Sequence, residues 1–254
     1  TKKSSGKALT DYTKFLDAEG LRGARIGVAR QYFGFNDRVD KLMTEAIAVI
    51  RNLGATIVDP ANMATSGKYD ETESEVLFYE FKADLNKYLA ACGPEVKSRT
   101  LADLIRFNEE HAAEEMPYFG QEQFIKAQKK GPLTSEAYKK ALAKNHRLSR
   151  GEGIDAVITK HKLDAIIAPT GGPVWPTDLV NGDHFTGGYS TASAVAGYPH
   201  ITVPAGFAFG LPVGLSFFAG AWSEGTLIKF AYAFEQATKF RKPPRYLATV
   251  ELGG

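Results

Sequence analysis

The chain has 254 residues, 44% of them hydrophobic and 24% charged, with a formal net charge of +2 at pH 7. This composition is typical of a globular protein with a substantial core, and because the Lys and Arg residues are scattered we expect no nucleic acid as a partner. A lone cysteine, Cys92, excludes an internal disulfide, and since no apolar run approaches the ~18 residues of a membrane span we expect no membrane partner either.

The predicted elements begin with a strand, a helix and a second strand. Residues 1–10 are polar and basic and are predicted to form a flexible terminus. Residues 25–29 are a short apolar run that indicates a buried strand, and residues 55–58 indicate another. Between them, apolar residues recur at helical spacing over 39–53, with Asp37 as the expected N-cap. The short links between these elements predict a βαβ unit with parallel strands.

The middle of the chain is predicted to be helical. Amphipathic patterns indicate helices over residues 76–89 and 101–108, and a longer one over 134–162 that Gly151 and Gly153 interrupt. Helical hairpins inserted between the strands of a sheet are the simplest account of this region.

Signals for a sheet return after the helical region. Residues 163–169, 201–203 and 213–218 are predicted strands, and prolines bracket the second of them. A final helix is predicted over 223–238, with Ser223 as its N-cap. Because these strands are apolar almost throughout, we expect an α/β protein whose sheet is covered by helices on both faces.

The segment 169–185 is the first candidate for a binding site. Long connections of this kind are usually functional or disordered, and polar and aromatic groups beyond the carboxyl end of a strand suit a ligand pocket. Its candidate substrate-binding residues are Trp175, Asp178, Asn181, Asp183 and His184. The alternative is a surface loop in which Asp and Asn side chains make local turns. A catalytic histidine needs a nucleophile and an orienting partner, and the side chain of the adjacent Asp183 tends to diverge from that of His184. We therefore do not expect His184 to be a catalytic base.

The segment 187–197 is the second candidate. Its glycines precede a predicted helix of small residues over 190–196, and a helix start presents free backbone N–H groups to an anion or oxyanion. Tyr189 and Ser190 stand where a ligand would meet that helix end. The alternative is structural, since small residues also allow a helix to pack closely on a sheet.

A series of short motifs then follows one order along nearly the whole chain. They are GARIGVAR (23–30), VLFYEFKADLN (76–86), EMPYFGQ (115–121), LDAIIAPT (163–170), AGYP (196–199), TVPAG (202–206) and GLPVG (210–214). Each motif alone is weak, but the ordered set is specific. It resembles the C-terminal half of the amidase signature family, and within that family the branch of the peptide amidases.

The resemblance implies a fold, a reaction and a division of the molecule. The fold implied is a single α/β domain with a mixed β-sheet flanked by α-helices, of which residues 1–254 would be the C-terminal portion. Family members hydrolyse carboxylic amides without a metal or other cofactor: one serine attacks, a second serine in a cis peptide relays the proton, and a lysine is the base. The segments that carry this triad in the family do not occur in the sequence, so no residue is assigned a catalytic role.

The expected role of this chain is therefore to supply part of the substrate-cleft wall. By position in the family, the loop residues above, Tyr189, Ser190, Tyr118 and Phe119 would meet a small-molecule or peptide amide substrate. The chain is predicted to be inactive alone, to need the N-terminal half of the same amidase as a partner, and to be cytoplasmic. An unpaired strand edge or exposed apolar surface, left by a divided sheet, is expected to favour self-association.

Two other functions remain open from the sequence. The first is the A subunit of a glutamyl-tRNA amidotransferase, which would copurify with a partner protein and deliver ammonia to it. The second is a non-catalytic binding module that keeps the wall of the pocket. Ligand binding with no gain from the N-terminal half would favour this module.

Overall fold

The computed structural model describes residues 2–246, and the chain falls into two compact units. The sheet unit comprises the residues up to Ser66 and those from Ser149 onward, and the helical unit is Gly67–Leu148. Thr1 of the predicted flexible terminus lies outside the described residues, and Lys2–Ser4 forms a short 3-10 turn. Within the described part of the chain, no helix combines the length and the apolar character that crossing a membrane requires.

A five-stranded mixed sheet forms the centre of the sheet unit. Its strands are β1 (Arg25–Val28), β2 (Thr56–Val58), β3 (Ala165–Pro169), β4 (His200–Ala208) and β5 (Leu211–Phe218). Their order is β2-β1-β3-β5-β4, in which β1 pairs parallel with β2 and β3, and β5 pairs antiparallel with β3 and β4. The predicted mixed sheet and the parallel βαβ unit are both confirmed.

The helices follow the predicted regions closely. They are α1 (Asp37–Asn52), α2 (Asp70–Ala91), α3 (Leu101–Glu110), α4 (Ala112–Glu115), α5 (Glu122–Gln128), α6 (Glu136–His146), α7 (Asp155–His161), α8 (Thr191–Ala196) and α9 (Glu224–Thr238). The predicted helix over 134–162 is interrupted as expected: a π-helical stretch, Arg147–Ile154, contains Gly153 with non-helical angles of φ −106° and ψ −108°. Glycine adopts such angles without the steric cost that a side chain would add.

The N-cap of α1 differs from the prediction, whereas that of α9 lies at the predicted residue. Asn36, and not Asp37, is the N-cap of α1, and its Oδ1 accepts hydrogen bonds from the backbone N–H groups of Arg38 and Val39 at 3.0 and 3.2 Å. Asp37 lies in the first turn instead, where its charge favours the positive end of the helix dipole. Ser223 is the N-cap residue of α9, as predicted, but its hydroxyl donates to the Gly220 carbonyl and caps no helix N–H.

Strands β4 and β5 form a hairpin that is longer than predicted. The expected end of a strand at Pro204 is wrong, because β4 continues to Ala208. Proline lacks the N–H that a central strand needs, but β4 lies at the edge of the sheet, and its register shifts between Pro204 and Gly206. Phe209 and Gly210, with φ of 53° and 74°, make the two-residue turn. Positive φ at both turn residues matches the twist of a hairpin.

Helices cover both faces of this sheet, as predicted. On one face α1 and α9 bury a cluster in which the ring of Phe217 lies 6.5 Å from that of Phe230 and 6.4 Å from that of Phe234. On the other face, Ile166 and Phe218 belong to a second cluster, which also takes in buried residues of α7 and α8. The second face carries the shorter helices, α7 and α8.

The helical unit has its own small core. Helix α2 packs on α6 through Val76, Tyr79, Tyr138 and Ala141. The Tyr138 hydroxyl donates to Glu80 Oε1 at 2.6 Å, and burial together with that carboxylate raises the pKa of Tyr138 to about 12. Helix α3 begins with a reciprocal capping box formed by Thr100 and Asp103.

His200, the first residue of β4, is expected to make the sheet unit less stable in mild acid. Its ring lies 5.9 Å from that of Phe218, and its Nδ1 is buried without a hydrogen-bond partner among residues 2–246. Burial lowers the pKa of His200 below its ordinary value. Between the folded and unfolded pKa values the unfolded chain binds more protons, so the free energy of unfolding falls as the pH drops below about 6.5.

The measurement is urea unfolding at about pH 7.5 and about pH 5.5, the range in which an ordinary histidine titrates. His200→Phe should remove part of the loss of stability at the lower pH, whereas His184→Phe, at an exposed loop position, should leave it intact. Equal pH dependence in wild type and His200→Phe would contradict the assignment.

Candidate functional site

The candidate site lies at the carboxyl ends of β1 and β3, two neighbouring parallel strands. Crevices beyond the carboxyl ends of such strands are the usual ligand sites of α/β proteins. A 3-10 turn, Arg30–Tyr32, follows β1, and the long loop follows β3. The loop closes on itself at its base, because Gly171 pairs with Gly188 in an antiparallel bridge and the Tyr189 N–H donates to the Thr170 carbonyl at 3.3 Å.

Several large apolar side chains lie at the surface of this loop. The indole of Trp175 meets the ring of Phe185 edge to face, with centroids 5.7 Å apart and planes at 72°. Phe185 is 66% exposed and Val180 is 91% exposed. Large apolar groups held at the surface by a closed loop are suited to cover an apolar ligand, and the pocket at this loop remains a prediction.

The polar residues of the loop divide into two pairs. Asp178 accepts hydrogen bonds from the backbone N–H groups of Asn181 and Val180 and from the Asn181 side chain, and these bonds lower the pKa of Asp178. This pair forms the local turn of the alternative interpretation. Asp183 and His184 are exposed and make no hydrogen bond or ion pair through their side chains to residues 2–246. Substrate contact by any of the four remains a prediction.

Tyr189 is part of an aromatic cluster that the sequence did not indicate. Its ring centroid lies 4.7 Å from that of Tyr32 and 5.4 Å from that of Phe35. Burial, assisted by the charge of Asp40, raises the pKa of Tyr189, so its hydroxyl is protonated at neutral pH. That hydroxyl has no hydrogen-bond partner within the described residues. The aromatic cluster therefore offers apolar ring surface together with a free donor.

The remaining predicted residues are placed differently. Ser190 is exposed at the N-cap of α8 but makes no side-chain cap, and α8 has only six residues, of which Ala192 and Ala196 are buried. The buried alanines fit the close packing of the structural alternative, and ligand contact by Ser190 remains a prediction. Tyr118 and Phe119 belong to the helical unit, where each is 63% exposed. Their contact with substrate remains a prediction.

A chain of three hydroxyl groups lies directly beneath the loop and was also missed. Thr170 Oγ1 lies 2.6 Å from Thr202 Oγ1 and 2.8 Å from Ser216 Oγ. Gly214 gives them room, because a Cβ at this position would lie 2.6 Å from both threonine oxygens. Within residues 2–246, no group of three or more His, Cys, Asp or Glu residues is arranged to hold a metal ion. The groups that the structure brings together at this place are hydroxyl groups and aromatic rings.

Comparison with known proteins connects this arrangement to one family. A family model described as Amidase matches residues 2–228. The structure of a peptide amidase in complex with the competitive inhibitor chymostatin matches with a TM-score of 0.89 and 44% identity, over 94% of this chain and 48% of that one. A probable amidase from Arabidopsis thaliana is 39% identical over 242 residues, which are 93% of this chain and 42% of the relative.

A second kind of relative is more distant. The A subunit of the glutamyl-tRNA(Gln) amidotransferase from Thermoanaerobacter pseudethanolicus is 30% identical over 254 residues, which are 92% of this chain and 49% of that protein. The chain thus spans about half the length of the relatives it matches. The family model covers most of these 254 residues, and the mixed sheet with helices on both faces is the fold of the similar peptide amidase. The chain therefore belongs to the amidase signature family.

Proposed function

We propose that this chain forms the substrate-binding wall of an amidase that cleaves carboxylic amides, with peptide amides as the substrate class. The observation that carries the proposal is the aromatic surface of the loop and of the Tyr32–Phe35–Tyr189 cluster near the carboxyl ends of β1 and β3. It belongs to a chain that is 44% identical to a peptide amidase. Rings suit the apolar side chains of a peptide, and the free Tyr189 hydroxyl suits a carbonyl oxygen.

The proposal assigns the chemical step to residues outside this chain. By family resemblance, two serines and a lysine cleave the amide, and we propose that an N-terminal half supplies them. The match to this chain covers 48% of the similar peptide amidase, and this coverage supports the proposed division. Activation of a serine needs a base held in hydrogen-bond reach and a prepared oxyanion site, and the binding wall supplies neither.

The A component of a glutamyl-tRNA amidotransferase is the second candidate, and the relative with 30% identity favours it. The two functions differ in the ligand that the wall must accept. The side chain of glutamine ends in a polar amide, whereas the loop exposes the large apolar side chains of Val180 and Phe185 and holds the half-buried Trp175 against Phe185. We therefore favour the peptide amide. Preferential binding of glutamine, together with copurification of a partner protein, would favour the amidotransferase.

Binding of N-acetyl-phenylalaninamide to the 254-residue chain tests the proposal. The sequence contains two tryptophans, so Trp222→Phe leaves Trp175 as the reporter and Trp175→Phe leaves Trp222. We expect the ligand to change the fluorescence of Trp222→Phe but not of Trp175→Phe. Trp175→Ala should weaken binding by about three- to tenfold, because an aromatic contact is worth about 0.5–1.5 kcal/mol.

A hydrolysis assay completes the test. The chain alone should release no ammonia from the peptide amide, and release should begin when a half that carries the two serines and the lysine is added. Turnover by the chain alone would contradict the proposed division. Equal affinity in wild type and Trp175→Ala, or a ligand response of Trp222 only, would contradict the proposed wall.

A further inference from the structure

The three hydroxyl groups beneath the loop form an ordered chain from the interior to the surface. Ser216 is fully buried, Thr170 is half-buried and Thr202 is exposed. Ser216 and Thr202 are direct neighbours across β5 and β4, and Thr170 follows β3. Two hydrogen bonds, of 2.8 and 2.6 Å, join the three oxygens in the order Ser216, Thr170, Thr202.

Burial fixes the direction in which these hydroxyls donate. The Ser216 hydroxyl has no acceptor other than Thr170 Oγ1 among the described residues. A buried proton without an acceptor is costly, so Ser216 donates to Thr170. By the same reasoning the half-buried Thr170 donates to Thr202, its other partner. The hydroxyl proton of the exposed Thr202 is then free to be donated outside the chain. The two hydrogen bonds behind it polarise one another and so strengthen this donor.

The position of this donor relates it to the proposed binding wall. The carbonyl of Thr170 accepts the N–H of Tyr189, and Gly171 is one member of the bridge that closes the loop. Thr202 therefore stands at the base of the loop, bonded through its hydroxyl to the residue whose carbonyl accepts from Tyr189. The proposed function places the nucleophile, and the amide that it attacks, against another part of the enzyme, so we assign the donor in this wall to a different carbonyl of the same ligand.

We propose that the Thr202 hydroxyl donates a hydrogen bond to the backbone carbonyl that precedes the cleaved amide of a bound peptide amide. Thr170 and Ser216 are positioning residues that orient and polarise this donor, and Gly214 keeps the space for them. This inference rests on the proposed function, because it takes a peptide amide as the occupant of the wall.

The test compares N-acetyl-phenylalaninamide with its thioacetyl analogue, in which sulfur replaces only the acetyl oxygen. Sulfur is the weaker acceptor, so wild type should prefer the oxygen ligand about three- to tenfold, the worth of one neutral hydrogen bond. Thr202→Val should bind both ligands alike, Thr202→Ser should keep the preference, and Ser216→Ala should reduce it. Thr44→Val, on the exposed face of α1, is the control and should keep the full preference.

The preference is a ratio measured within each variant, so a partly unfolded preparation does not distort it. If wild type binds the peptide amide and Thr202→Val keeps the oxygen preference, the role of Thr202 is wrong and the proposed function stands. If wild type binds neither ligand, the proposed function fails and the role of Thr202 fails with it.

Discussion

Phe217→Ala is expected to lower the free energy of unfolding of the sheet unit by about 3–5 kcal/mol, the usual cost of removing a buried phenyl ring. Phe217 is fully buried on β5 and packs against Phe230 and Phe234 of α9. Its removal leaves a cavity between the central sheet and the helix, and the opposing rings are too large to collapse into it without moving α9. A loss of this size is a large fraction of the stability of an ordinary domain.

Urea unfolding followed by tryptophan fluorescence measures this loss, because Trp175 and Trp222 both lie in the sheet unit. Leu16→Ala is the control: Leu16 is 49% exposed, and its replacement should change the unfolding free energy by about 0.5 kcal/mol or less. A loss below about 1 kcal/mol for Phe217→Ala would mean that α9 does not pack on the sheet as described.

Gly214→Ala is expected to affect both stability and ligand binding. The new methyl carbon would lie 2.6 Å from the hydroxyl oxygens of Thr170 and Thr202 and 3.0 Å from Thr170 Cβ. Threonine is branched at Cβ and cannot swing its hydroxyl far, so the hydrogen-bonded chain must open. We expect the free energy of unfolding to fall by about 1–3 kcal/mol, the usual penalty of overpacking. The affinity for N-acetyl-phenylalaninamide should fall as well.

The matched control is Gly151→Ala. No heavy atom would lie within 4 Å of its new methyl group, so stability should be unchanged or slightly higher. Calorimetry for both variants, with titration of the peptide amide, separates the two effects. Wild-type affinity in Gly214→Ala, despite lower stability, would show that the hydroxyl chain supports the fold but not the ligand.

The parts of the fold that the sequence predicted depend on local patterns. The apolar spacing over residues 39–53 is helical, and it produced α1 nearly as observed. The apolar runs at residues 25–29 and 163–169 indicated β1 and β3 for the same reason. The length of β4 was missed because Pro204 ends a strand by local rules. In an edge strand such as β4 a proline can be accommodated, and whether a strand lies at the edge depends on the order of all the strands in the sheet.

The candidate site was predictable only in part. The length and composition of the connection after β3 located the loop, but could not indicate that Asp178 and Asn181 would bind each other. Tyr32 and Tyr189 meet because β1 and β3 pair in parallel, although 157 residues separate them in the chain. The hydroxyl chain likewise depends on the register of three strands, and no motif in one segment could reveal it.

The order of the strands also determines how the sheet can assemble. β4 and β5 are joined by two turn residues, so their pairing closes a very short loop. The pairing of β1 with β3 instead closes a chain segment that contains the whole helical unit. The Arg25 N–H donates to Asp164 Oδ2 beside this pairing, and these two residues lie 139 positions apart in the chain. Local contacts form before distant ones because the entropy of closing a long loop must be overcome first. We expect the hairpin to be the earliest part of the sheet in refolding, and the parallel centre, with the ligand edge it carries, to be the last.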